Sequence, residues 1–253
     1  MGNLPKRIST MVFTIIYAVL FLITFIATLI PFAFLLIVGI IFGKATREKV
    51  LRFLAKVWGR FVVYLSGSTV IVHGRENIVR DAGNIVYIIN HQSFFDIPLV
   101  MGFVDERAKF IARESLLRVP LLGLWMRQLG TFFVGRRPSR EELRRFNIVA
   151  EELMKGGRVA IFPEGTRSTD GTIGKFHPSA LRPARVARST IIPVRIFGSR
   201  NILPRGAIRI SPSRVRILIG KPIAYENYST MRPAELANFL RKVFENELTL
   251  EGK

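Results

Sequence analysis

Ile85-Val86-Tyr87-Ile88-Ile89 is a run of β-prone apolar residues that stops abruptly at Asn90-His91-Gln92-Ser93-Phe94-Phe95-Asp96. A short strand without a polar residue belongs in the middle of a sheet covered on both faces, as in parallel sheets. Working outward, similar short runs occur at Thr69–Val72, Lys109–Ala112, Thr131–Val134, Arg158–Phe162, Ile191–Phe197 and Val215–Ile219. Between them the pattern predicts helices over Phe94–Phe103, Leu121–Leu129, Arg140–Lys155, Ala180–Ala187 and Pro233–Glu247. Ser139 with Glu142 three residues on reads as a capping box, and Gly156-Gly157 as a stop. Pro163 and Pro193 are expected to end their strands. Such alternation implies an α/β domain with a largely parallel sheet flanked by helices, over residues 67–253.

The chain has 253 residues, no cysteine, 49% hydrophobic residues and a formal net charge of +20. The apolar content excludes a disordered chain, and the lack of cysteine excludes a disulfide-stapled scaffold. The basic excess implies a polyanionic partner: nucleic acid, an anionic membrane, or phosphorylated substrates and acidic carriers. No helix-turn-helix, zinc or RNA-binding signature accompanies it, so no nucleic-acid partner is expected.

From Met11 to Gly43 no side chain is charged. A straight helix of that length would reach about 50 Å, against a hydrocarbon core of roughly 30 Å. Pro31 is expected to divide it into Met11–Ile30 and Phe32–Gly43. Either one leg spans the bilayer and the other lies in the interface, or the two form a re-entrant hairpin. Lys6 and Arg7 before the run and Lys44, Arg47 and Lys49 after it favour the hairpin, with both ends cytoplasmic. Residues 46–65 follow as a basic amphipathic helix, with Lys49, Arg52, Lys56 and Arg60 on one side and Val50, Leu54, Val57, Trp58, Phe61 and Leu65 on the other. It suits either the lipid interface, with Trp58 at the boundary, or ordinary packing on the core. Residues 1–66 are thus expected to be a membrane anchor on the cytoplasmic face of the cell (inner) membrane, and its partner an anionic phospholipid membrane.

His91 lies at the end of an apolar strand, where sites in α/β sheets collect. On one continuous helix His91 and Asp96 would lie about 140° apart, so pairing needs His91 in the loop and Asp96 in the first helical turn. Asp96 would then stabilise an imidazolium while His91 serves as general base. Alternatively, Asp96 only caps the helix. His73, His91 and His177 lack metal-ligand spacing, so no metal is expected; a cysteine acyl-enzyme is impossible, and a serine nucleophile lacks its Gly-x-Ser-x-Gly turn. Ser93 is expected to cap the following helix.

Asn90-His91 with Asp96 resembles the His-x4-Asp box of the glycerolipid acyltransferases, specifically the 1-acylglycerol-3-phosphate acyltransferase family. Gly130-Thr131-Phe132-Phe133-Val134-Gly135-Arg136, Phe162-Pro163-Glu164-Gly165-Thr166-Arg167-Ser168 and Ile192-Pro193-Val194 resemble its further boxes, in the family's order. The resemblance implies acyl transfer from a thioester of acyl-carrier protein or coenzyme A to the free sn-2 hydroxyl of lysophosphatidic acid, giving phosphatidic acid without another cofactor. It implies catalytic roles for His91 and Asp96. Substrate binding would involve Asn90, Gly130, Phe133, Arg136, Glu164, Gly165, Thr166 and Arg167. Ala112-Arg113-Glu114-Ser115 departs from a lysine-rich stretch of the family, which passes a role there to Lys109 or Arg113. Ser179 stands where a glycine is common. Arg136 and Arg167 can offer bidentate contacts to phosphate, and Gly165 a turn whose N–H groups face an anion. Glu164 either holds Arg167 or accepts from a glycerol hydroxyl. Sibling activities on glycerol-3-phosphate or another lysophospholipid share these boxes, and a non-catalytic membrane scaffold would explain the charge but not the boxes.

Overall fold

Two helices, α1 (Leu4–Ala27) and α2 (Leu29–Leu65), precede seven strands in the computed structural model, which describes residues 4–135 and 139–249. The strands are β1 (Thr69–His73), β2 (Ile85–Ile89), β3 (Lys109–Arg113), β4 (Phe132–Val134), β5 (Arg158–Ile161), β6 (Thr190–Phe197) and β7 (Arg214–Ile219). The remaining helices are α3 (Asp96–Leu99), α4 (Leu122–Gln128), α5 (Arg140–Met154), α6 (Arg182–Val186), α7 (Ser199–Ile202) and α8 (Pro233–Asn246). The chain divides into two compact units. One comprises the residues up to Val70 with Ser93–Glu106 and Gly198–Val215; the other comprises Ile71–Gln92, Arg107–Phe197 and the chain from Arg216 on.

The second unit carries the sheet, in the order β1-β7-β6-β2-β5-β3-β4. β2 lies at its centre, parallel to β5 and β6, and β3 is parallel to β4 and β5; only the β6–β7 pair among those with a described register is antiparallel. Every residue of β2 is buried, as its unbroken apolar run requires. Val86, Ile88, Val159 and Ile161 pack with Leu153 of α5, Ala184 of α6 and Leu240 and Phe244 of α8 in one core. Each aliphatic side chain so buried contributes roughly 1.5–3 kcal/mol relative to exposure.

Pro193 differs from expectation: it lies inside β6, level with Ile88 of β2. The β6–β7 ladder starts only at Val194, while the Pro193 carbonyl accepts from the Gly220 N–H at 2.8 Å. The proline therefore ends that ladder, where no N–H is required, rather than the strand. At α5 the Ser139 hydroxyl accepts from the Glu142 N–H at 3.1 Å as expected, but the Glu142 carboxylate accepts from the Gly135 N–H at 2.8 Å.

In the first unit the reversal falls at Gly43, not Pro31. Gly43 has φ 80° and ψ 170°, a conformation open essentially to glycine alone. Pro31 is the third residue of α2 after a break at Thr28, and in a first turn its missing N–H costs no helical bond. The returning leg is therefore the basic helix itself. Tyr17 hydroxyl lies 3.5 Å from the Val62 carbonyl, and Trp58 packs against Phe21 and Phe25 at ring-centroid separations of 6.1 and 6.2 Å. Trp58 thus meets α1. Gly59 and Gly102 let backbones touch, since a Cβ on Gly59 would stand 2.7 Å from the Pro98 carbonyl oxygen. Arg60 donates to the Gly102 carbonyl at 2.8 Å, Lys56 pairs with Glu106 at 3.3 Å and Arg52 with Glu48 at 3.2 Å, so three of the four expected cations are engaged within this unit. Ser9–Leu35 is long and apolar enough to cross a membrane. Its exposed residues include Ile15, Ile16, Leu22, Ile23 and Ile30.

Candidate active site

Asn90, at the carboxyl end of β2, is buried, and its side chain spans to β6. Its amide donates to the Ile196 carbonyl at 3.0 Å and accepts from the Ile196 N–H at 2.7 Å. This two-way clamp fixes the point at which the chain leaves the sheet. His91 follows in the loop. Its backbone N–H donates to Glu164 Oε1 at 2.9 Å, and its carbonyl accepts from the Ser168 N–H at 2.7 Å. The imidazole stacks on Phe162 with ring centroids 4.3 Å apart, and Phe162 in turn stacks on Phe110 at 6.5 Å. Backbone and ring are thus both located, which a general base requires.

Asp96 opens α3 and is fully buried, and its Oδ2 accepts from the Ser93 N–H at 2.8 Å. His91 lies in the loop and Asp96 in the first turn, the placement that a pairing of the two would need. The Ser93 hydroxyl accepts from the Phe95 N–H at 3.3 Å and donates to the Leu203 carbonyl at 2.9 Å, so it ties the loop before α3; the N-cap position is Phe95, and Ser93 is not the helix cap that the sequence suggested.

Glu164 is buried and acts through both oxygens. Beside the His91 N–H, it accepts from the Gly174 N–H at 3.0 Å. It therefore ties the loop after β5 to itself and to the His91 loop, a bracing role beside the two alternatives that the sequence left open. Gly165 has φ 65°, in the left-handed region, and its N–H closes its own turn onto the Phe162 carbonyl at 3.1 Å. Arg113, exposed, lies 3.4 Å from the Gly165 carbonyl. Thr166 is exposed and Arg167 half-buried on the same turn.

The following turn is tightly bonded. Asp170 accepts from the Thr172 hydroxyl and N–H and from the Ser168 hydroxyl, which together lower its pKa to about 2. Gln92 reaches this turn through the Gly171 carbonyl at 3.2 Å. Lys109 pairs with Glu152 at 2.6 Å and lies against Gly130, whose φ of 70° and lack of Cβ admit the lysine stem. Phe133 is half-buried in β4, and its carbonyl accepts from Arg145 at 3.2 Å. Arg136 lies outside the described residues. The expected site residues therefore form a bonded set, Asn90, His91, Glu164, Gly165 and Arg113, and a separate contact between Lys109 and Gly130. Phe162, Ser168, Gln92 and Gly174 complete the His91 setting without having been singled out. Of these only Phe162, an aromatic at a strand end, carried a sequence signal. Among the described residues no three His, Cys, Asp or Glu side chains converge as a metal site.

A family model described as Acyltransferase matches residues 69–197, the stretch that contains β1 to β6 and all of these loops. The chain belongs to the Acyltransferase family. Within 178 residues it is 33% identical to a chloroplastic 1-acyl-sn-glycerol-3-phosphate acyltransferase of Arabidopsis thaliana, over 70% of this chain and 49% of that one. It is 29% identical to a 1-acyl-sn-glycerol-3-phosphate acyltransferase of Borreliella burgdorferi, over 71% of each chain. The crystal structure of the 1-acyl-sn-glycerophosphate (LPA) acyltransferase PlsC from Thermotoga maritima superposes with a TM-score of 0.81 at 28% identity, over 96% of each chain. The chain spans about half the length of the first relatives it matches. Of the four stretches that resemble family boxes, two are the loops at the carboxyl ends of β2 and β5, one runs over β4, and Ile192-Pro193-Val194 lies within β6.

Proposed function

We propose that this chain transfers a fatty acyl group from a thioester of acyl-carrier protein or coenzyme A to the sn-2 hydroxyl of lysophosphatidic acid, giving phosphatidic acid. The observation that carries the reading is His91, stacked on Phe162 and held through both backbone groups beyond the end of the central strand. The relatives, named as 1-acyl-sn-glycerol-3-phosphate acyltransferases, support the same acceptor.

In this reaction His91 takes the proton of the acceptor hydroxyl as its oxygen attacks the thioester carbonyl. The tetrahedral oxyanion collapses, the C–S bond breaks, and the thiolate leaves with the proton returned by the imidazolium. Asp96 stabilises that imidazolium. Asn90 and Glu164 act by holding the loop. Arg113, Thr166 and Arg167, with Arg136, bind the phosphate, and Lys109, Gly130 and Phe133 line the approach. Residues 1–66 anchor the enzyme to the cytoplasmic leaflet, and 67–253 carry catalysis.

Thioester consumption by the purified full chain, with and without lysophosphatidic acid, tests the reading. Consumption dependent on that acceptor, and much slower with glycerol-3-phosphate or lysophosphatidylcholine, is expected. Equal consumption with all three acceptors would contradict the assigned acceptor, and none with any would contradict the activity.

A further inference from the structure

Ile208 is 87% exposed, more than any other large apolar side chain among the described residues. It stands at the tip of the segment joining α7 to β7, within Pro204-Arg205-Gly206-Ala207-Ile208-Arg209-Ile210. A single exposed isoleucine needs no explanation by itself. Three features set this one apart.

First, the tip is a built turn. The Ala207 N–H donates to the Pro204 carbonyl at 3.1 Å, and Gly206 between them has φ 80°, which favours glycine. Second, the turn is fastened to the apolar helix. Ile210 is buried, and its N–H donates to the Thr14 hydroxyl of α1 at 3.1 Å. Around Thr14 the α1 residues Met11, Val12, Ile15 and Ile16 are exposed, so the loop adjoins an apolar surface far larger than itself. Third, Ile208 is bracketed by exposed Arg205 and Arg209, and from Gly198 to Lys221 the sequence holds six Lys or Arg residues and no Asp or Glu. An apolar tip flanked by cations fits an anionic leaflet: the isoleucine reaches the acyl chains while guanidinium groups stay with lipid phosphates.

We propose that the 204–210 loop is a second membrane contact, with Ile208 inserted just below the head groups and Arg205 and Arg209 on lipid phosphate. The proposal rests on the reading of α1 as membrane-embedded. One apolar helix can roll about its own axis in lipid, and a loop fastened at Thr14 selects the side of α1 that faces it.

The chain has no native cysteine, which makes single-site labelling clean. Ile208→Cys, Ile23→Cys and Glu226→Cys in the full chain, each carrying an environment-sensitive fluorophore, are compared on phosphatidylglycerol-containing vesicles bearing a shallow nitroxide quencher. Glu226, exposed in the sheet-bearing unit, supplies the reference for a label in water. Blue-shifted, quenched emission at both 208 and 23 is the expected result. A lipid-like signal at 23 with a water-like one at 208 overturns the loop proposal alone, and water-like signals at both overturn the membrane reading as well. Ile208→Asp is expected to lower vesicle partition roughly tenfold, as loss of one inserted isoleucine implies, and Ile208→Leu to leave it unchanged. Unaltered partition of Ile208→Asp would also overturn the proposal. Quenching at 208 as strong on phosphatidylcholine alone would remove Arg205 and Arg209 from it.

Discussion

Glu164 Oε1 accepts the backbone N–H of His91 at 2.9 Å, across 73 residues of sequence. Two of the recognisable boxes are thus one assembly: the glutamate holds the histidine-bearing loop in place by its main chain. Its second oxygen accepts from the Gly174 N–H, so the buried carboxylate braces two backbone segments.

Glu164→Ala leaves the His91 and Gly174 N–H groups without their acceptor. An unsatisfied buried donor costs roughly 1–3 kcal/mol, so a drop in unfolding free energy of that order is expected by denaturant titration. Turnover of the folded fraction should fall as well, because the loop carrying His91 loosens. Wild-type stability would contradict the bracing role.

Asn90→Asp replaces an amide that both donates and accepts by a carboxylate that only accepts. Facing the Ile196 carbonyl, from which it can take no proton, the buried group should destabilise the fold by about 1–3 kcal/mol. Asn90→Ser, which can do both, should lie between. Thermal melting of the three proteins at pH 7 checks the order.

The turn at Asp170 gives a pH prediction. The carboxyl titrates near 2, below its ordinary value of 3.8, because Thr172 and Ser168 hydrogen-bond the ionised form. Its contribution to stability is therefore complete above the ordinary value and is lost as pH falls through about 2. NMR titration of the Asp170 carboxyl should report this midpoint. Thr172→Val, which removes the hydroxyl, should raise it, and an unchanged midpoint would contradict the hydrogen-bond cause.

The Gly43 reversal predicts which positions meet. In a chain without other cysteines, Phe21→Cys with Trp58→Cys should be joined by a short bifunctional thiol reagent, because these rings lie 6.1 Å apart. Phe21→Cys with Ile41→Cys, the pairing that a turn at Pro31 would give, should not be joined. The opposite result would restore the turn to Pro31. Gly43→Val should reduce the first cross-link, since φ 80° with ψ 170° costs a branched residue on the order of 1–3 kcal/mol.

Much of this was legible in the sequence because it depends on local pattern. All seven strands lie within about a residue of their expected positions, since β-branched runs bounded by turns need no tertiary information. His91 in the loop and Asp96 near the helix start also followed from the pattern, which ends a strand at Ile89 and opens a helix near Phe94, whereas spacing left open whether the two pair. Pro31 misled because a proline three residues into a helix is harmless, and the preceding break at Thr28 has no sequence marker. In the sequence Gly43 is marked only as the end of an uncharged run. The short helix α7 was missed because four residues after a glycine carry no periodicity. Glu164 could not be assigned because its partners are backbone N–H groups brought together by loop conformation, and residue types record nothing of that.

The central claim is that His91 removes the acceptor proton. Its most direct test is turnover of an acyl thioester with lysophosphatidic acid by purified His91→Ala, beside Asp96→Asn, each checked for native circular dichroism and unchanged membrane binding. A general base contributes about 10² to 10⁴ in rate, so the account predicts a fall of at least that order for His91→Ala and a clear fall for Asp96→Asn. Wild-type turnover by folded His91→Ala would contradict it.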